Sequence, residues 1–181
     1  MGVRLSRSLV AGVLVSVAML ASCAVSPSHL PGGFWSSDEA TANAVIARVS
    51  DALASHDKPA MMALFSEAGR SQANDLGTQV DTLFDFVQGT VLSHQLDPNG
   101  GPDSREYNDG PMRWKELSIF FTITTDVGTY SFFMADRVVD DFHEYKVGVY
   151  TLRAMRIEDE EKYMIFSEAM RIPGIWCPPG A

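Results

Sequence analysis

Apolar Leu117, Ile119, Phe121 and Ile123 alternate with Glu116, Ser118, Phe120 and Thr122, a period of two that predicts a strand with one strongly apolar face. Asp126-Val127-Gly128 is a turn signal, and Tyr130, Phe132 and Met134 alternate on the way back. A turn centred on Val127-Gly128 pairs Ile123 with Phe132 and Phe121 with Met134, whereas a three-residue turn slips the register by one and sends Phe133 inward. The first pairing buries more apolar surface and is the one expected. β-Branched and aromatic residues continue from Tyr145 to Arg153, and Tyr163-Met164-Ile165-Phe166 closes a sheet-forming stretch that begins at Trp114.

Upstream the period changes to that of helices. Ser36-Ser37-Asp38-Glu39 reads as a Ser-x-x-Glu capping box, followed by Ala42, Val45, Ile46, Val49 and Leu53 at helical spacing. Asp57 stops or restarts that run, and Lys58-Pro59 suits the first turn of a second helix carrying Met61, Leu64 and Phe65 on one face. A third helix begins near Asp75. Leu76, Val80, Leu83, Phe84 and Val87 form its apolar stripe, Asp81 and Asp85 its solvated side, and Gly89 its left-handed end. Thr90 to Leu96 then alternates as a strand, placing Leu92, His94 and Leu96 on one face, and Asp97 to Pro102 is a loop cluster. Three helices followed by five or six strands, with no return to helix, predict a segregated α+β domain in which N-terminal helices cover a curved antiparallel sheet.

Composition changes this picture mainly at the N-terminus. Arg4 and Arg7 precede an uncharged apolar run from Leu9 to Leu20, too short to span a bilayer comfortably and proportioned like the core of a signal peptide. The run ends in Leu20-Ala21-Ser22-Cys23, which resembles the bacterial lipobox, in which the cysteine is diacylated and becomes the new N-terminus. Residues 1–22 are therefore expected to be a signal peptide, Cys23 the lipid attachment site, and the membrane a partner through that anchor. Two acyl chains hold where one would let go. The Pro-, Gly- and Ser-rich segment up to residue 35 is a flexible linker spanning roughly 18 Å. The expected location is the extracytoplasmic face of the cell membrane, with the α+β domain over residues 36–171 and a C-terminal tail over 172–181. Without the leader, twelve basic residues face 23 acidic ones, a net charge of −11. Such a chain is repelled by nucleic acid, which is excluded as a partner.

Leu64-Phe65-Ser66, Leu83-Phe84-Asp85-Phe86-x-x-Gly89 and Gly148-x-Tyr150-x-Leu152-Arg153 together resemble an uncharacterised family of bacterial lipoproteins that carries only a domain-of-unknown-function label. The likeness runs from about residue 40 to 170. It implies the cone-shaped fold of nuclear transport factor 2 and a membrane-anchored location, and it brings no catalytic residues or cofactor with it.

Candidate chemistry is sparse. Asp140-Asp141-Phe142-His143-Glu144 is the densest polar cluster, readable as a cation site or as a solvated hairpin connection. The second reading is preferred because neighbours on an extended loop rarely converge on one ion, and no metal is expected. His94 gains a catalytic meaning only with an acid such as Asp136 opposite it in a cavity. Cys177 is the thiol left once Cys23 is acylated, and it reads as a buried or idle tail residue. A bent sheet under helices leaves a funnel, whose candidate lining is Phe121, Phe132, Met134 and Tyr150. The sequence thus predicts a binding or accessory module taking a small apolar ligand or a protein partner. The alternative is a small hydrolase- or isomerase-type enzyme with an acid/base pair in the cone. A homodimer through the face bearing Glu116, Ser118, Phe120 and Thr122 is a variant of the first reading.

Overall fold

The computed structural model describes residues 37–99, 101–163 and 170–179. Cys23, the leader, the linker and the capping residue Ser36 lie outside the described residues. The chain runs α1 (Asp38–Ser55), α2 (Lys58–Ala63), α3 (Glu67–Gln72) and α4 (Leu76–Phe86) into β1 (Val91–Leu96), β2 (Pro102–Asp109), β3 (Met112–Thr125), β4 (Thr129–Asp140) and β5 (Gly148–Arg156). A short α5 (Glu160–Tyr163) and β6 (Gly174–Trp176) follow. The architecture is α+β, helices on one side of a curved, unclosed sheet of six strands ordered β1-β3-β4-β5-β6, with β2 also paired to β3. Among the described residues no helix is long and apolar enough to cross a membrane.

β3 is the spine. Its C-terminal half pairs with β1, from Val91 opposite Thr125 to Leu96 opposite Phe121, and its N-terminal half pairs with β2, from Pro102 opposite Ile119 to Asp109 opposite Met112. The two short strands are thus one interrupted edge strand, and Asp97 keeps the ladder continuous by donating its amide to Phe120 (2.9 Å) before the loop departs. On the other edge β4 pairs along the length of β3, then β5 on β4, all antiparallel. β6 joins β5 in parallel, so the sheet is mixed rather than purely antiparallel as expected. The reason lies in the expected tail: Gly174–Trp176 is a sheet strand within residues 172–181, held by Gln79 of α4 through the Ile175 amide (2.7 Å).

Helix starts follow local capping chemistry. Ser37, not Ser36, caps α1 by accepting from the Ala40 amide (3.1 Å), which shifts the expected capping box by one residue. Asp57 caps α2, Ser66 caps the unpredicted α3, and Asp75 caps α4. Hydrogen bonds from Thr78 hold the Asp75 carboxyl below its usual range. Ala42, Val45, Ile46, Val49, Ala52 and Leu53 of α1, with Leu76, Val80, Leu83 and Phe86 of α4, meet Leu117, Ile119, Phe121, Ile123, Phe132, Met134 and Leu152 of the sheet in one core. Phe84 is not among them. It lies half-buried against His56, at 5.2 Å between ring centroids, while Phe86 takes the inward position.

The hairpin between β3 and β4 pairs Ile123 with Tyr130 and Phe121 with Phe132, two residues from the expected register. A shift of two keeps every side chain on its face, so Tyr130, Phe132 and Met134 point inward as predicted. The displacement arises at Thr125, whose amide donates to the Gly128 carbonyl (2.8 Å) and whose hydroxyl oxygen accepts from the Val127 and Gly128 amides, closing a four-residue turn. Gly89 has φ +89° but sits in the turn before β1 rather than ending α4, which is capped at Val87. A bulge between Val91 and Ser93 throws Leu92 into solvent, at 64% exposure, against the expected shared face with His94 and Leu96. The expected closing strand from Tyr163 fails at its start, since Tyr163 ends α5; residues 164–166 lie outside the described residues.

Two of the motif segments meet directly. Ser66 donates its amide to Val149 (2.9 Å) and Val149 donates to Leu64 (3.0 Å), a parallel bridge between the α2–α3 turn and β5. Gly148 has φ +117°, and a Cβ there would lie 2.9 Å from the Ser66 nitrogen, so only glycine permits this approach. The outward face of the sheet is also occupied: Arg171 bonds Glu116 and Ser118 (2.8 Å to the Ser118 hydroxyl), and Phe120, Phe133, Ala135 and Met170 form a second small apolar cluster.

These placements separate three consecutive substitutions in α4. Leu83→Ala, at 0% exposure, should cost about 2–5 kcal/mol, Phe84→Ala clearly less, and Asp85→Ala within roughly 0.5 kcal/mol of the parent in urea unfolding. A larger loss for Phe84→Ala than for Leu83→Ala would refute the packing described.

Candidate functional site

The expected funnel lining is largely core. Phe121, Phe132 and Met134 are fully buried, and Phe121 and Phe132 stack on each other across the strands at 5.0 Å and 14°. Tyr150 does not join them. A bulge makes Ala135 oppose Thr151 and Asp136 oppose Val149, leaving Tyr150 as the extra residue of β5. Its hydroxyl instead donates to Gln72 of α3 (2.9 Å).

His94 and Asp136 are not brought together either. His94 opposes Ile123 and Asp136 opposes Leu117, six positions apart along β3, or about 20 Å at the strand rise. His94 lines a cleft of about 540 Å³ beside the β1–β2 loop, with Glu39 and Asn43 of α1. Asp136 is sealed on the core face, with one carboxylate oxygen lacking any partner among the described residues. Burial pushes its pKa up to about 6 against the opposing pull of Arg48. Cys177 packs against the core, and burial pushes its thiol up to about 12, which leaves it inert as a nucleophile.

A different pocket forms where β2, β3 and β4 meet the connection that follows β4, on the sheet face away from the helices. Its volume is about 470 Å³, and it is lined by Tyr107, Trp114, Arg137, Asp140, Phe142, His143 and Lys146. Asp109-Gly110-Pro111-Met112 joins β2 to β3: Gly110 at φ +61° turns the chain so that Tyr107 pairs with Trp114. A bulge at Lys115 and Glu116 re-aims the end of the β3–β4 ladder. Asp140, which the sequence reading left on a solvated connection, is buried. Its Oδ1 accepts from the Phe142 (3.1 Å) and His143 (2.8 Å) amides and so folds the connection back over the strand ends.

Arg137 is the hub of the site. Its guanidinium lies 4.4 Å from the Trp114 ring centroid, with Nη2 donating to Glu116 (3.1 Å) and Nη1 to Asp140 (3.4 Å). Glu116 is shared with Arg171, so the pocket floor is continuous with the segment crossing the outer sheet face. The Arg137 Nε–H is buried with no partner among the described residues. Among those residues no group of three or more His, Cys, Asp or Glu could hold a metal ion. Sequence reasoning found Asp140, Phe142 and His143 only as a polar run and missed Tyr107, Trp114, Arg137 and Lys146. The Asp-Gly turn at 109–110 was the available signal, since it sets Tyr107 opposite Trp114.

The pKa of Asp136 carries a sign. A carboxyl raised from 3.8 to about 6 on folding makes the native state the stronger proton binder between those values. Its contribution therefore favours folding at low pH and is lost as pH rises through about 6, amounting to about 3 kcal/mol at most. Asp136→Asn should gain stability relative to the parent steadily between pH 4 and 7, read by urea unfolding at each pH. A stability difference independent of pH would contradict the assignment.

No curated protein matches the chain. A family model described as a domain of unknown function (DUF5104) matches residues 48–168, from the middle of α1 past α5, taking in both the Gly148 contact and the Arg137 pocket. The chain belongs to this DUF5104 family of domains of unknown function.

Proposed function

We propose that the protein is a membrane-anchored extracytoplasmic lipoprotein whose domain, a cone of the nuclear transport factor 2 type, binds a small ligand in the Arg137 pocket. One observation carries the choice of site: exposed aromatic rings surround a concavity floored by the Arg137 side chain, itself 20% exposed. Monomers rarely leave such rings clustered around a concavity unless something covers them. The volume of about 470 Å³ suits a small molecule rather than a lipid chain bundle. The fully buried funnel residues Phe121, Phe132 and Met134 act as core, and Tyr150 acts through α3. Leu-Ala-Ser-Cys supports the anchor, and the Pro/Gly linker holds the domain near the bilayer without laying its acidic surface on anionic lipid.

Two experiments test the two halves of this reading. In a bacterial host, metabolic labelling with an alkyne fatty acid should mark the parent and be abolished in Cys23→Ala; unchanged labelling removes the anchor. In a thermal-shift screen of the full chain against small metabolites and cell-wall fragments, stabilising hits should lose their shift in Phe142→Ala and keep it in Tyr150→Phe. The reverse pattern would return the site to β5.

A further inference from the structure

The pocket's charge and shape restrict its ligand. Building on the reading just given, we infer that it takes a small anion carrying a flat apolar ring, an aromatic carboxylate in the simplest case. The apolar half of this inference rests on the rim. Tyr107, Phe142, His143 and Tyr145 form a chain of rings with successive centroids 5.8, 6.4 and 5.7 Å apart. Tyr107, Phe142 and Tyr145 are 45%, 42% and 46% exposed, a large share of the exposed aromatic surface gathered at one end of the sheet. A flat ring laid on such a rim removes apolar surface from water on both partners and meets the rings in the offset or edge-on geometries they favour.

The anionic half rests on which charges remain available. Arg137 and Lys146 line the pocket as permanent cations, and Asp140 is the acid among the lining residues. Both Asp140 oxygens are already engaged, Oδ1 by the Phe142 and His143 amides and Oδ2 by Arg137. Of the acids near the rim, Asp141 pairs with Arg113 (3.3 Å), and Asp109 accepts from the Tyr107 hydroxyl (3.2 Å). Arg137, paired with Glu116 and Asp140, keeps 20% of its side chain exposed, and Lys146 lines the same pocket. A carboxylate entering the pocket meets the exposed part of Arg137 in a charge-assisted contact, and the Lys146 ammonium supports the same charge. A neutral ring makes no charge-assisted contact there, and a cationic ligand would face two like charges. In a chain of net charge −9 the general field does not draw anions in, so the selectivity must come from these short-range contacts.

The test uses the full chain in lipid nanodiscs, with empty nanodiscs as reference, titrated calorimetrically with 2-naphthoate, 2-naphthamide and 2-naphthylmethylammonium. The expected result is naphthoate binding at least about tenfold tighter than naphthamide, with no binding of the ammonium. Lys146→Gln, a change near the surface, should weaken naphthoate about tenfold and leave naphthamide unchanged; Phe142→Ala should weaken both. Arg137→Lys, checked for retained fold by circular dichroism, should also remove most of the preference for the anion. Naphthamide binding as well as naphthoate, and still lost in Phe142→Ala, would overturn the anion and leave the pocket standing. Failure of all three probes at millimolar concentration would overturn both.

Discussion

The length of β3 governs this structure. Fourteen residues at the strand rise make a ribbon of about 46 Å, longer than either short neighbour on its outer edge. One edge is consequently shared by β1 and β2 in series, and α1 contacts both. β1 contacts α1, and the core-facing residues of β3 from Leu117 to Ile123 meet α1 and α4. Further along β3 toward Met112, Lys115 still reaches Asp38 at the start of α1. The site lies on the other face: Trp114 and Arg137 stand on the side of the sheet away from the helices, with Tyr107 paired beside Trp114.

Bulges then set where individual residues point. Strict alternation would carry Leu92 and Tyr150 inward, and each is displaced by a one-residue irregularity that moves it to solvent or to α3. At Lys115 and Glu116 ordinary alternation lets adjacent residues serve separate layers, while the extra residue of the nearby bulge is Val138 on β4. Lys115 pairs with Asp38 at the start of α1, while Glu116 turns outward to Arg137 and Arg171. The helices, the sheet and the C-terminal segment are thus tied by consecutive residues of a single strand.

This also explains how much could be read beforehand. The two-residue and helical periods report burial averaged over several residues, so the order of helices, the α+β class and the inward face of β3 and β4 were legible. Asp57 and Asp75 were legible as helix starts because a cap is a local interaction. The mixed sheet was not, because Gly174–Trp176 is too short to show a period and pairs with residues more than twenty positions away. Ser66 capping α3 was hidden in the same way, since α3 makes less than two turns. The pocket was the least legible part. Five of its seven lining residues fall within 137–146, but Tyr107 and Trp114 reach them only through strand pairing, which no local period reports. A bulge has no hydrophobic signature, so the Tyr150 assignment failed where periodicity itself failed.

Asp136 and Arg137 bring the argument to one place. They are consecutive on β4, so their side chains point to opposite faces, the carboxylate into the core and the guanidinium into the pocket floor. Each retains a buried polar atom with no partner among the described residues, at a typical cost of about 1–3 kcal/mol apiece. An apolar pair at these positions would avoid both penalties, and the neighbouring Phe132, Phe133, Met134 and Ala135 show that β4 readily accommodates apolar residues on both faces. Arg153 of β5 repeats the arrangement, its Nε likewise buried without a partner among the described residues and its guanidinium 4.2 Å from the Trp176 ring centroid, so a stacked arginine recurs in this sheet. At Arg137 the stack is completed by Glu116 and Asp140, which hold the guanidinium against Trp114.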